Sequence, residues 1–187
     1  MHTKASKITP KSHAAPRFKT GMTATEDYPA RLAPFDQKAL ALWAADCAEH
    51  VLSHFETLHP DDDRPRCAIE AARAWARGEI RMVMARTAAV KTHKAARESG
   101  HPAAVAAARS AGHAAGTAHM MGHARNAAAY GIVSAVAAAT AHEQDSTPSA
   151  ERDWQIGKMP NETSTPYSTH TAGLIPMTKG VKSGEVG

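Results

Sequence analysis

Apolar residues between positions 36 and 58 recur at a three-four spacing: Leu40, Trp43, Cys47, Val51, Phe55 and Leu58. That period predicts one amphipathic helix, opened by Asp36 as its N-cap and running to about Leu58, with a single stripe facing a core. "HPDDDRP" then reads as a turn in which Asp62 or Asp63 caps a second helix and Pro65 suits its first turn. The second helix, about 64–77, buries Ile69, Ala72 and Trp75 and stops at Gly78; a third covers about 79–98 and ends at Gly100. His101-Pro102 opens a helical region that reaches about His142, with a break near Gly112 or Gly116. A short amphipathic piece at about 150–156, carrying Trp154, packs back on the rest.

The stretch 110–142 departs from this amphipathic pattern. Among its 33 residues only Arg125 carries a permanent charge. A helix without a polar face is normally enclosed, so this region is expected at the centre of a bundle. Its glycines at 112, 116, 122 and 131 each cost about 1 kcal/mol of helix propensity against alanine. Close approach of neighbouring helices is the expected compensation.

Composition strengthens the helical reading. Alanine supplies 41 of 187 residues and the aromatic residues only nine, which favours helix over strand. Stability must then come from many close contacts and a few large anchors: Trp43, Phe55, Trp75 and Tyr130. The expectation is an all-α, alanine-rich multi-helix bundle over 34–157. It is flanked by a disordered basic arm (1–33, with Met22 as an alternative initiator) and a flexible tail (158–187).

Charge and cysteines narrow the class. Residues 1–35 hold six Lys/Arg against two acids, 36–142 twelve against ten, and 143–187 four against six, so the basic balance owes much to the arm. No Lys/Arg block interleaves with aromatics, and no nucleic-acid partner is expected. Cys47 and Cys67 fall roughly 10 Å apart along an antiparallel hairpin at helical rise, beyond disulfide reach of about 7 Å. Two free thiols, no apolar secretory core and no charge-free run near the roughly 20 residues a bilayer needs point to a cytoplasmic protein without membrane contact.

Chemistry could sit in three places. On a helical wheel His119, His123 and Tyr130 fall within about 40° of one another, with His113 off that line. His-x-x-x-His can bind a metal if Asp46, Asp62, Asp63 or Glu70 completes the ligand set; the competing reading is buried imidazoles hydrogen-bonded to carboxylates or backbone. In the first helix, Asp46 and His50 flank the apolar stripe and His54 lies within it. The third helix aligns Arg86, His93 and Arg97, with Asp46 and the acidic turn 61–63 as counter-charges, a network that locks helices or orients an anion. No phosphate-binding glycine loop or nucleophile elbow occurs. No cofactor is expected.

"LWAADCAEHVL" (42–52), "DDDRPRCAIEAARAWARGE" (61–79), "AAVKTHKAARESG" (88–100) and "AGHAAGTAHMMGHARNAAAYG" (111–131) taken together resemble the bacterial immunity-protein family with an immunity-five-like domain. The likeness spans about residues 38–142 and rests on the order of these motifs. It implies an all-helical protein that protects its producer by binding a cognate protein toxin stoichiometrically, and not by turnover. The residues lying within the family's motifs are Asp46, Asp62, Asp63, Arg64, Arg66, His93, His113, His119 and His123. Two other readings stand beside it: a helical metal-binding protein or metal-dependent hydrolase using His119 and His123, and a small homo-oligomer pairing flat alanine faces.

Overall fold

The computed structural model describes residues 35–139 and 146–161; the expected basic arm, the end of the region at His142 and the tail beyond 161 lie outside them. Every regular element among the described residues is a helix: α1 (Gln37–His50), α2 (Ser53–Glu56), α3 (Arg64–Ala76), α4 (Met82–Ser99), α5 (Pro102–Gly116), α6 (His123–Ala138) and α7 (Thr147–Gly157).

The local signals act as their chemistry requires. The Asp36 carboxylate accepts hydrogen bonds from the amides of Lys38 (2.8 Å) and Ala39 (3.0 Å), satisfying two of the free N–H groups at the start of α1. Asp63 stands at the N-cap position of α3 without a side-chain cap bond; the Asp62 carboxylate before it accepts from the Arg64 amide (3.2 Å), and Pro65 is buried in the first turn. Gly78 (φ 80°) and Gly100 (φ 73°) adopt the left-handed conformation that ends α3 and the one that ends α4.

Two expected helices are divided. The first stops at His50, turns through Val51 and Leu52, and resumes as the single turn α2. Leu52 lies off the Leu40–Phe55 stripe, and the break lets Val51, Leu52 and Phe55 all turn inward; Leu58 is left exposed. The long region after Pro102 breaks at Gly116, and residues 117–122 carry the chain over to α6.

The enclosed rod is α5. Twelve of its fifteen residues are buried, and it packs against α1, α2, α3, α4 and α6. By contrast, α6 is enclosed on one side only, burying Ala124, Ala127, Ala128, Ala129, Gly131, Ile132 and Ser134. The core between them combines alanines with Leu40, Trp43, Leu52, Phe55, Ile69 and Ile132. Trp75 and Tyr130, expected as anchors, are only half-buried. Short hydroxyl side chains tie the closely packed rods: Ser110 donates to the Ala127 carbonyl (2.7 Å), Ser134 to that of Ala103 (2.8 Å) and Thr92 to that of Arg64 (2.7 Å).

The glycines serve a purpose different from the expected one. A Cβ on Gly112 would meet the His93 ring at 2.7 Å, and one on Gly116 would meet the His123 ring at 3.1 Å. The room these positions leave is filled by imidazoles and not by a neighbouring backbone. At Gly131 the close neighbour is the Gln155 amide, 2.8 Å from such a Cβ, with the Cys47 carbonyl at 3.5 Å.

Candidate functional site

The imidazoles converge where α4, α5, the 117–122 turn and α6 meet. The His113 ring, almost fully buried, occupies the middle. Its Nδ1 lies 2.9 Å from the Nδ1 of His123, so one nitrogen donates the single hydrogen that the pair shares. The His93 ring stands edge-on to His113 at 5.0 Å, and Tyr130 stacks on His113 at 5.3 Å. His119 is exposed in the turn, its ring 4.9 Å from that of His123. Arg109 lies over the outer face of the cluster, 5.8 Å from the Tyr130 ring centre.

The wheel applied to His119, His123 and Tyr130 therefore fails for a local reason: His119 is not on the helix that carries the other two. His113, set apart by that wheel, is the residue that touches His93, His123 and Tyr130. The carboxylates weighed as further metal ligands are engaged elsewhere. Asp46 and Glu70 pair with Arg73, and Asp62 with Arg64. Among the described residues, no group of three or more His, Cys, Asp or Glu is arranged to hold a metal ion.

The charged residues organise around α3. Arg64 grips Asp62 with two hydrogen bonds (2.7 and 2.6 Å) and reaches Glu98 at the far end of α4 (2.7 Å). Arg66 is bidentate on Glu56 of α2 (2.7 and 2.8 Å). Arg73 bonds Asp46 (2.9 Å) and Glu49, both on α1. These guanidinium contacts hold the carboxyls of Asp62 and Glu49 below the ordinary range. Asp46 and the acidic turn were expected to oppose Arg86, His93 and Arg97; instead they meet the arginines of α3, and Arg86 and Arg97 are exposed. Asp63 precedes α3 and faces the Cys67 thiol; burial first, then this carboxylate, pushes that thiol up.

A third polar corner escaped the sequence pattern. His54 Nδ1 lies 2.9 Å from the Ser134 hydroxyl, which itself donates to the Ala103 carbonyl and therefore accepts from His54. His50 donates to the buried Glu151 (3.0 Å) and stacks on Trp154, ring centres 3.8 Å apart. Hydropathy hid this corner because Glu151 and Gln155 look like solvent-facing positions, yet they are the buried residues of α7. The sequence signal was the His50–His54 spacing, whose partners Glu151 and Ser134 lie 101 and 80 residues away.

Set beside known families, residues 30–162 match the model of the Imm-5 like putative immunity protein. The chain belongs to that family. The match covers all seven helices, with the histidine cluster, the α3 arginines and the His50–Glu151 corner inside it. Searches of curated proteins and of solved structures give no significant match. Among the described residues of this immunity-family chain, no helix is long and apolar enough to cross a membrane.

Proposed function

We propose that this protein acts in the cytoplasm as the immunity partner of one protein toxin, binding it stoichiometrically and blocking its action in the producing cell. Family membership over residues 30–162 is the observation that carries this reading. The internal chemistry agrees with it. The imidazoles of His93, His113 and His123 pack against one another and Tyr130, and Arg64, Arg66 and Arg73 are engaged by acids on neighbouring elements. Groups committed in this way fix a rigid surface, and specific protein recognition draws on such preorganisation. On this reading residues 34–157 are the folded toxin-binding unit, and Asp46, Asp62, Asp63, Arg64 and Arg66 shape its surface.

The test is protection in cells. Each toxin gene neighbouring the one for this chain is expressed in a sensitive host with and without it, and the matching pair is then purified. Survival restored against one neighbouring toxin, with a complex of fixed stoichiometry by sedimentation, is the expected result. Failure to protect against every neighbouring toxin overturns the proposal.

A further inference from the structure

Helix α4 has two apolar sides. One is the buried stripe of Ala85, Ala89, Thr92 and Ala96 that packs on α3 and α5. The other faces outward: Met82, Val83, Met84 and Val90 are each between 42 and 62 % exposed. On the helical period Val83, Thr87 and Val90 form one outer row, with Met84 and Lys91 on the flank nearest α3. There they join Asp63, Arg64, Cys67, Thr87 and Ala88 around a groove of about 380 Å³ between the outer edges of α3 and α4. Contiguous exposed apolar side chains bounded by polar ones mark a surface that another molecule covers.

The charge around this row is one-sided. Arg86, Lys91, Lys94 and Arg97 stand on α4 against a single acid, Glu98, which is already held by Arg64 and Lys94. Of the nearby acids, Asp62 is taken by Arg64 and Asp46 and Glu49 by Arg73, which leaves Asp63 at the groove, where it faces the Cys67 thiol. The outer face of α4 is therefore apolar from Val83 to Val90, with Lys94 next in the same row, Arg86 and Arg97 on one side and Lys91 on the groove side. A nucleic acid would meet the cations but find no use for Val83 and Val90. A protein ridge that is apolar along its crest and acidic on its flanks satisfies both features.

We propose that the outer face of α4, with the α3–α4 groove beside it, is the surface on which the toxin docks, and that the toxin presents an acidic, apolar-crested helix or ridge to it. This rests on the immunity reading above. It adds the chemistry of the partner and the residues that meet it: Val83, Met84 and Val90 as apolar anchors, Arg86, Lys91 and Arg97 as charge partners.

Cys67 is a built-in reporter, because it is exposed in the groove while Cys47 is buried. The alkylation rate of Cys67 is measured on the full chain alone and with four probes: an amphipathic helical peptide of Leu and Glu, its Leu and Lys counterpart, phosphatidylglycerol vesicles, and duplex DNA. At about ten times its Kd the Leu/Glu peptide slows Cys67 about tenfold, the fraction left free by simple occupancy. The exposed substitutions Val90→Glu and Lys91→Glu remove this protection without lowering the thermal midpoint. Protection by the Leu/Lys peptide, vesicles or DNA in place of the Leu/Glu peptide overturns the proposal, as does no protection at all. A thiol already shielded in the chain alone, by its own segments or by self-association at higher concentration, also overturns it. The same two variants go into the cell assay. Wild type protecting while both variants fail supports the face; equal protection by all three sinks the face and leaves the immunity reading standing. Absence of protection by wild type sinks that reading, and the peptide arm alone then decides the face.

Discussion

At the scale of single residues, the pairing of glycine with histidine is the most informative feature. Gly112 and Gly116 are small because His93 and His123 lie where their Cβ atoms would be. At Gly122 nothing lies within 4 Å of such a Cβ, and its φ of −58° is ordinary. Gly112→Ala should therefore lower stability relative to Gly122→Ala by about 1–3 kcal/mol, the range for overpacking a filled site, although Gly112 lies inside α5 and gains helix propensity while Gly122, at the N-cap position of α6, does not. Urea denaturation of the two variants measures this; equal midpoints would show that His93 moves aside freely. The pH dependence follows from His54. Burial holds its imidazole below the ordinary value of about 6.5, so the folded state prefers the neutral ring that donates to Ser134. The groups facing it are Ser134, His50, which lowers it further, and Glu151, which partly offsets the shift. A depressed pKa gives stability that is complete above the unfolded value and lost as pH falls through the folded one. Midpoints should drop between about pH 7 and pH 5, with a shallower slope in His54→Asn. The depressed carboxyls of Asp62 and Glu49 add a separate loss below about pH 4, their unfolded range.

At the scale of helices, much was legible and the failures share a cause. The cap at Asp36, the start of α3 after Asp62 and Asp63, and the stops at Gly78 and Gly100 were readable because they are local chemistry. The enclosure expected of residues 110–142 from their single permanent charge holds for the part of them in α5, whereas α6 is enclosed on one side only. The break after His50 was not, because a three-four pattern continues through it and only Leu52, off the stripe, argues otherwise. That the piece carrying Trp154 packs back was legible, but the means were not: buried polar side chains hold α7 down, and hydropathy cannot distinguish those from solvated ones. Gln155 donates to the Ala128 carbonyl (3.1 Å) and to Glu151 (2.9 Å), and the Trp43 indole donates to the Gln155 carbonyl (2.8 Å). Gln155→Leu keeps the volume but removes both donors and leaves the Glu151 carboxylate short of a partner. The expected loss is about 1–3 kcal/mol. It should be confined to the end of the chain: amide exchange in α7 accelerates, while α5, enclosed by five other helices, keeps its protection. Uniform acceleration across α5 and α7 would show that α7 is integral to the cooperative unit.

At the scale of the whole molecule, the near-neutral charge of residues 36–142 conceals a division of labour. Asp46 and Glu49 of α1, Glu56 of α2 and Asp62 of the turn are matched to the arginines of α3, which ties these elements together and leaves the cations of α4 facing outward. Net charge could not reveal this, since the sum is the same whichever helix takes the acids. The division separates the consequences of otherwise similar substitutions. Arg73 is the least exposed of the paired arginines and contacts Asp46, Glu49 and Glu70 together, so its loss frees three clustered carboxylates to repel one another. Arg73→Ala should destabilise by about 1 kcal/mol, the upper end for an ion pair still open to water. Arg86→Ala and Arg97→Ala remove exposed charges that form no ion pair among the described residues and should leave stability within about 0.5 kcal/mol of wild type. On the proposed docking face their effect would belong to recognition: cations at the rim of an interface chiefly set the association rate and its salt dependence. With an acidic toxin surface, the double variant should associate several-fold more slowly at low salt and converge on the wild-type rate near 0.5 M NaCl, where the screening length is only a few ångström. Stopped-flow association at two ionic strengths, run beside thermal melts of all three variants, distinguishes the two roles. An Arg86/Arg97 variant that melts early but associates at the wild-type rate would reverse the assignment, making α4 part of the scaffold and moving the docking surface elsewhere.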